Sequence, residues 1–167
     1  MSKKTCAIIL AGGQGKRMKS DLPKPMFRVL DMPMLDWVTR ACEEAGISDI
    51  CVVTGFNNEV IEKHLDGKYH TVFQPQRMGT GHAVMMALDW LNERKNSDVL
   101  ILNGDAPFID RDTILGAHAL HEEKGNAVTV ITSEVDNPYG YGRIIRTSNG
   151  ISGIVEEKDA TAEQKNI

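Results

Sequence analysis

The chain is poor in several features, and each shortage removes a class of protein. It has three cysteines, Cys6, Cys42 and Cys51, all in apolar stretches and with no Cys-x-x-Cys pair, so buried free thiols in a reducing compartment are expected. It has no excess of positive charge: the formal net charge is −4, which argues against a nucleic-acid binder that works by phosphate neutralisation. No apolar run near the amino end approaches a signal-peptide core with its flanks or a ~20-residue membrane span, which predicts a soluble, cytoplasmic protein without a membrane partner. No internal repeat, low-complexity tract or linker divides the 167 residues, a length that suits one domain with a real core.

What is present is concentrated near the start. Cys6-Ala7-Ile8-Ile9-Leu10 reads as a short buried strand, followed by Ala11-Gly12-Gly13-Gln14-Gly15-Lys16-Arg17-Met18. This is not a P-loop, because Gly15-Lys16 is followed by Arg17 where Ser or Thr would hold magnesium. Nor is it a dinucleotide fingerprint, whose third glycine is replaced by Met18. Glycines at a strand's carboxyl end still let backbone N–H groups approach negative charge. Four basic residues, Lys16, Arg17, Lys19 and Lys24, lie within nine positions. Together they suggest a loop for a nucleoside triphosphate, against the alternative of a glycine turn with a solvated basic flank.

The rest alternates. Met34, Trp37, Val38, Ala41, Cys42 and Ala45 recur at helical spacing up to Gly46, and Asp49 to Thr54 reads as a second buried strand. A short helix capped by Asn57 or Asn58 runs to Leu65 and places His64 on its inner face, where a packed histidine is expected before a ligand. Tyr69 to Gln74 is a third strand. Thr80 opens one long helix with an Ala83, Met86, Ala87, Trp90, Leu91 stripe. Asp98 to Leu102, an Asp110-capped helix to Lys124-Gly125, and a strand from Ala127 to Thr132 follow. This order predicts an α/β, doubly wound, mostly parallel Rossmann-like sheet with ligands outside the strands' carboxyl ends. Beyond residue 133, Arg143 to Arg146 and Ile151 to Glu156 read as paired strands around Ser148-Asn149-Gly150, before a polar tail.

The motifs taken together resemble a known family. Leu10 to Met18 with Leu22-Pro23-Lys24, Gln74 with Gly79-Thr80-Gly81-His82-Ala83, Gly104-Asp105, Gly140-Tyr141-Gly142-Arg143 and Gly153 to Ala160 resemble the sugar-1-phosphate nucleotidyltransferases. Within them the chain is most similar to the uridylyltransferase domains of bifunctional enzymes that make UDP-N-acetylglucosamine for peptidoglycan and lipopolysaccharide precursors. The resemblance implies attack of N-acetylglucosamine 1-phosphate on the α-phosphorus of UTP, with release of pyrophosphate. It makes Arg17 the clamp on the leaving group and Lys24 the contact to the phosphates around the reacting centre. It assigns the nucleotide to Leu10, Ala11, Gly12, Gly13, Lys24, Gln74, Gly79, Thr80, Asn103, Gly104 and Asp105. It assigns the amino-sugar to Gly142 and Glu156, and a Mg2+ cofactor to Asp105.

On the residues alone several of these stay open. Asp105 reads equally as a turn cap before Pro107 or as a ligand for a hard cation, and the resemblance selects the metal. Gln74 either ends a strand or presents an amide that accepts from uracil N3–H and donates to O4. Glu156 by itself reads as a solvated strand residue. Two positions depart from the family pattern, Arg77 near the base and Asn103 before Gly104-Asp105. The family's Asn ligands to sugar and metal have no counterpart before Ile167, so residues 1–167 are expected to be an incomplete uridylyltransferase domain lacking the acetyltransferase β-helix and any oligomer contact it provides. The alternatives are a related nucleotidyltransferase with another base or sugar, and a non-catalytic nucleotide-binding module or fragment.

Overall fold

The computed structural model describes residues 4–15, 18–148 and 150–167. Lys16, Arg17 and Asn149, all named above, lie outside the described residues. The chain divides into two compact units, the first ending at Thr129 and the second being Val130–Ile167.

The first unit is built on four parallel strands, β1 (Thr5–Leu10), β4 (Ile50–Thr54), β5 (His70–Phe73) and β6 (Asp98–Asn103), in the order β5-β4-β1-β6. β1 and β4 are central and covered on both faces, which is why their sequences are apolar without alternation. Period-two geometry still sorts their side chains. Ala7, Ile9 and Val52 pack with Leu35, Val38 and Cys42 of α1 (Met34–Glu44), Ile61 and Leu65 of α2 (Asn58–Leu65) and Ile114 of α5 (Arg111–Lys124). Cys6, Ile8, Cys51 and Val53 pack on the other face with Ala83, Ala87 and Trp90. All three cysteines are free and buried, as the sequence predicts.

The order creates a switch point. From β1 the chain steps through α1 to β4 and through α2 to β5, then returns past β1 to β6 on its other side. The loops leaving β1 and β6 therefore diverge at the sheet's carboxyl edge, the position at which open α/β sheets bind ligands.

Three sequence expectations change. The helix expected from Thr80 is two, α3 (Thr80–Met86) and α4 (Leu88–Asn92), because Ala87 sits at φ −91°, ψ 10° and its N–H bonds Val84 O in a tightened turn. The stripe survives the break, since Ala83, Ala87 and Trp90 remain buried. No strand forms over 127–132: Val128 is 76% exposed and no described strand pairs with the segment. His64 is not packed core but exposed, with Nε2 2.7 Å from Asp36 Oδ1. A two-residue ribbon, β2 (Arg28–Val29) with β3 (Met32–Pro33), is an addition that its brevity hid.

The α5 ends follow the capping rules closely. Asp110 Oδ1 accepts the Thr113 N–H at 2.8 Å, and Gly125 takes φ +59° after the last turn. In the second unit β7 (Arg143–Thr147) and β8 (Gly150–Val155) form the expected antiparallel hairpin, with an irregularity between Ile145 and Arg146. Among the described residues no helix is long and apolar enough to cross a membrane.

Candidate active site

The site is assembled where three parallel strands end in glycine. Leu10 of β1 pairs with Val53 on one side and Asn103 on the other. Beyond it, Gly12 and Gly55 touch backbone to backbone: a Cβ on Gly55 would lie 2.7 Å from Gly12 Cα and 2.8 Å from its carbonyl oxygen. The Phe56 N–H bonds that same oxygen at 3.3 Å. Gly104 donates its N–H to Leu10 O at 2.9 Å, and a Cβ there would meet the same atom at 3.1 Å. Gly55 is the residue the sequence reading passed over. Its signal was available, a glycine directly after a strand that lies beside the glycine loop's own strand.

The loop then turns back on itself. Gly13 O accepts the Lys24 N–H at 3.2 Å, and Gly15 at φ +62° approaches the Lys24 side chain, where a Cβ would be 3.0 Å from Lys24 Cβ. Pro23 and Pro25 fix the backbone around Lys24, which begins a single 3-10 turn. The ammonium so placed forms an ion pair with Asp105 Oδ2, bridging 81 residues of sequence. Both side chains remain about a third exposed, at 38% and 31%, so the pair is open to ligand. Among the described residues Asp105 Oδ1 has no hydrogen-bond donor.

Gln74, which follows β5, is 5% exposed and stands beside the loop. Its N–H bonds Thr54 O at 2.9 Å, and its Oε1 is 3.2 Å from where a Gly12 Cβ would be. The amide Nε2 donates to Gly79 O at 3.2 Å and stands 3.0 Å from His82 Nδ1. The donating half of the amide is therefore engaged by the chain, while Oε1 lies toward Gly12 of the glycine loop. Gly79 takes φ +99° and delivers the chain into α3 at Thr80. Arg77 reaches across to the glycine loop, Nη1 to Gln14 Oε1 at 3.0 Å, with its guanidinium 5.8 Å above Phe56.

The structure thus brings Leu10 to Gly13, Lys24, Gln74, Gly79, Thr80 and Asn103 to Asp105 to one edge of the sheet. Arg17 lies outside the described residues. Gly142 and Glu156 belong to the second unit, where they neighbour each other: a Gly142 Cβ would be 3.1 Å from Ile154 Cγ2 and 3.9 Å from Glu156 Cδ. Beside them the buried Arg143 binds Glu157 Oε2 at 2.9 Å. Burial pushes the Glu157 carboxyl up, but the Gly140 N–H, Arg143 and Lys165 outweigh it and hold the group below its ordinary value.

A concavity of about 410 Å³ lies instead at the amino-terminal ends of β4 and β5. Its polar groups are spent on one another: Arg94 grips Asp49 at 2.7 and 3.0 Å and stacks 3.9 Å from Trp90. Among the described residues it has no glycine loop at a strand's carboxyl end, so the carboxyl edge is the better site for an anionic ligand.

Residues 7–149 match the family described as the MobA-like NTP transferase domain. Curated relatives include the bifunctional protein GlmU of Thermoanaerobacter pseudethanolicus, 46% identical over 161 residues, covering 96% of this chain and 35% of the relative. The GlmU of Acholeplasma laidlawii is 40% identical over 165 residues, 98% of this chain and 36% of its own length. The chain thus spans about a third of the curated relatives it matches. Among solved structures, a UDP-glucose pyrophosphorylase complexed with UDP-glucose superposes with TM-score 0.72 at 20% identity, covering 95% of this chain and 72% of its own. A nucleotidyl transferase from Methanothermobacter does so with TM-score 0.60 at 20% identity, covering 71% and 58%. At such identities these structures show a shared fold.

Proposed function

This chain belongs to the family of MobA-like NTP transferase domains, and from that premise we propose that it forms part of a uridylyltransferase site joining UTP to N-acetylglucosamine 1-phosphate. A phosphate oxygen of the sugar phosphate attacks the α-phosphorus of UTP. The bond from that phosphorus to the bridging oxygen breaks, and pyrophosphate leaves with the electron pair. The chain spans 35% of the length of such a relative, so the whole enzyme's reaction is a proposal for it.

The observation that carries the reading is the Lys24–Asp105 pair at the switch point. The two charges pair with each other. A triphosphate offers Lys24 a stronger anionic partner, and Asp105 is then released with both oxygens free. A partly exposed carboxylate with one undonated oxygen suits Mg2+, a hard cation that takes one or two carboxylates and completes its shell with phosphates and water. When bound, that ion would neutralise charge on the phosphates, while Asp105 fixes its position. Such a transfer asks little covalent work of the protein, so alignment and charge neutralisation carry catalysis.

Gln74 Oε1 accepts the uracil N3–H in this reading, and the backbone of Leu10 to Gly13 supports the base; with Nε2 already engaged, O4 is left to the Gly79–Thr80 backbone. Arg17 clamps pyrophosphate, and Gly142 and Glu156 meet the amino-sugar. The first test is calorimetry with UTP and Mg2+, followed by a turnover panel of four NTPs and several sugar phosphates on a chain long enough to hold the whole domain. UTP and N-acetylglucosamine 1-phosphate should be preferred. Preference for glucose 1-phosphate would replace the acceptor, and a folded protein that binds no nucleotide would end the reading.

A further inference from the structure

At the opposite end of β6 from Asp105 is a second cluster of polar side chains that nucleotide transfer does not use. Asp98, the first residue of β6, has a side chain only 12% exposed, and the inner face of α5 lays His118, His121 and Glu122 near it. Spacings of three and four along a helix put these three on one side. His118 Nε2 is 3.4 Å from Asp98 Oδ2, and His121 Nε2 is 3.9 Å from Asp98 Oδ1. His118 Nδ1 is 3.9 Å from Glu122 Oε2. One ligand atom each from Asp98, His118 and Glu122 lies within 4.8 Å of the others.

A bound ion would select the imidazole tautomer that presents a lone pair inward, and the outer partners allow it. His121 Nδ1 is 3.0 Å from Thr129 Oγ1, and with Nδ1–H donating there, Nε2 keeps its lone pair toward Asp98. Thr5 Oγ1 stands 3.0 Å from His118 Nε2, the bond an incoming ion would replace. The helix also has reason to need such a tie, since Ile114 is the single buried residue of its 14.

We propose that Asp98, His118 and Glu122, joined by His121 through the shared Asp98 carboxylate, bind a transition-metal ion of the Zn2+ class that ties α5 to β6. One imidazole with two carboxylates, and a second imidazole beside the shared Asp98 carboxylate, match borderline ions such as Zn2+ and Co2+, whereas Mg2+ takes oxygen donors. The ion is therefore different from the one assigned to Asp105, and its role is structural.

The experiment titrates the EDTA-stripped full chain with Zn2+ by calorimetry and with Co2+ by visible absorption, in millimolar Mg2+ throughout. One saturable equivalent, a Co2+ d–d band and a raised melting temperature are expected. His118→Ala and Asp98→Asn should each weaken Zn2+ binding by more than about tenfold, and His121→Gln by a smaller factor, with circular dichroism and UTP affinity unchanged. Binding that survives the His118→Ala, His121→Gln double variant, or is displaced by Mg2+, overturns the proposal. So does the absence of both the Zn2+ heat and the Co2+ band in folded wild-type protein.

Discussion

Lys24 and Asp105 show how a charge pair can be structure and site at once. Half-exposed ion pairs contribute little to stability, so removing either partner should leave the fold while taking away a charge the reaction requires. Asp105→Asn and Lys24→Ala are each expected to lower pyrophosphate release on the order of 10²–10³-fold with unfolding curves unchanged; wild-type-like turnover in either would remove it from the mechanism. Gly55 behaves in the opposite way. A methyl there must displace the Gly12 backbone rather than a flexible side-chain end. Gly55→Ala should therefore cost about 1–3 kcal/mol in urea unfolding, with UTP affinity lost alongside. The sequence makes Lys24 and Asp105 conspicuous by type and position, but the need for glycine at 55 comes from a partner 43 positions away that only the strand pairing reveals. His64 misled for a related reason: its place on the helix face was legible, but Asp36 on a neighbouring helix draws it out to an exposed ion pair.

Among the elements, those whose signals were local read correctly. The α5 cap and its glycine end are chemistry within four residues, and the buried strands announce themselves by apolar runs. The break at Ala87 is invisible to periodicity, since the stripe runs through it unbroken. The 127–132 segment has strand-like residues but no partner, and a strand without a partner does not form. The β7–β8 hairpin carries a pH expectation. Glu157, held below its ordinary value, receives the Gly140 N–H at 3.3 Å and the Arg143 guanidinium. A depressed carboxylate stabilises above its unfolded-state value, and that contribution is lost as pH falls through the folded one. The Gly140 amide resonance should accordingly titrate with a midpoint below the ordinary glutamate range, and Glu157→Gln should abolish the transition. A midpoint at the ordinary value would mean the carboxylate is not held as described.

At the level of the whole molecule, the α/β class was legible from the alternation of elements, whereas the order β5-β4-β1-β6 was not. That order decides that the loops after β1 and β6 share an edge and so that Lys24 meets Asp105. It also makes β6 the border of the sheet among the described residues. Val99 and Ile101 lie opposite Cys6 and Ile8, on the face covered elsewhere by Trp90, yet are 41% and 48% exposed. The Asp98 and Gly104 N–H groups bond Lys4 O, just before β1, and Leu10 O at its end, so in a parallel ladder every second amide between them, at Leu100 and Leu102, points inward as well. The amides of Val99, Ile101 and Asn103 then point away from β1. In deuterated water this border should appear as a comb: slow exchange at Leu100 and Leu102, fast exchange at Val99 and Ile101 between them. In any longer polypeptide whose added residues cover the strand, the fast teeth of the comb should slow first, reporting residue by residue where the sheet continues.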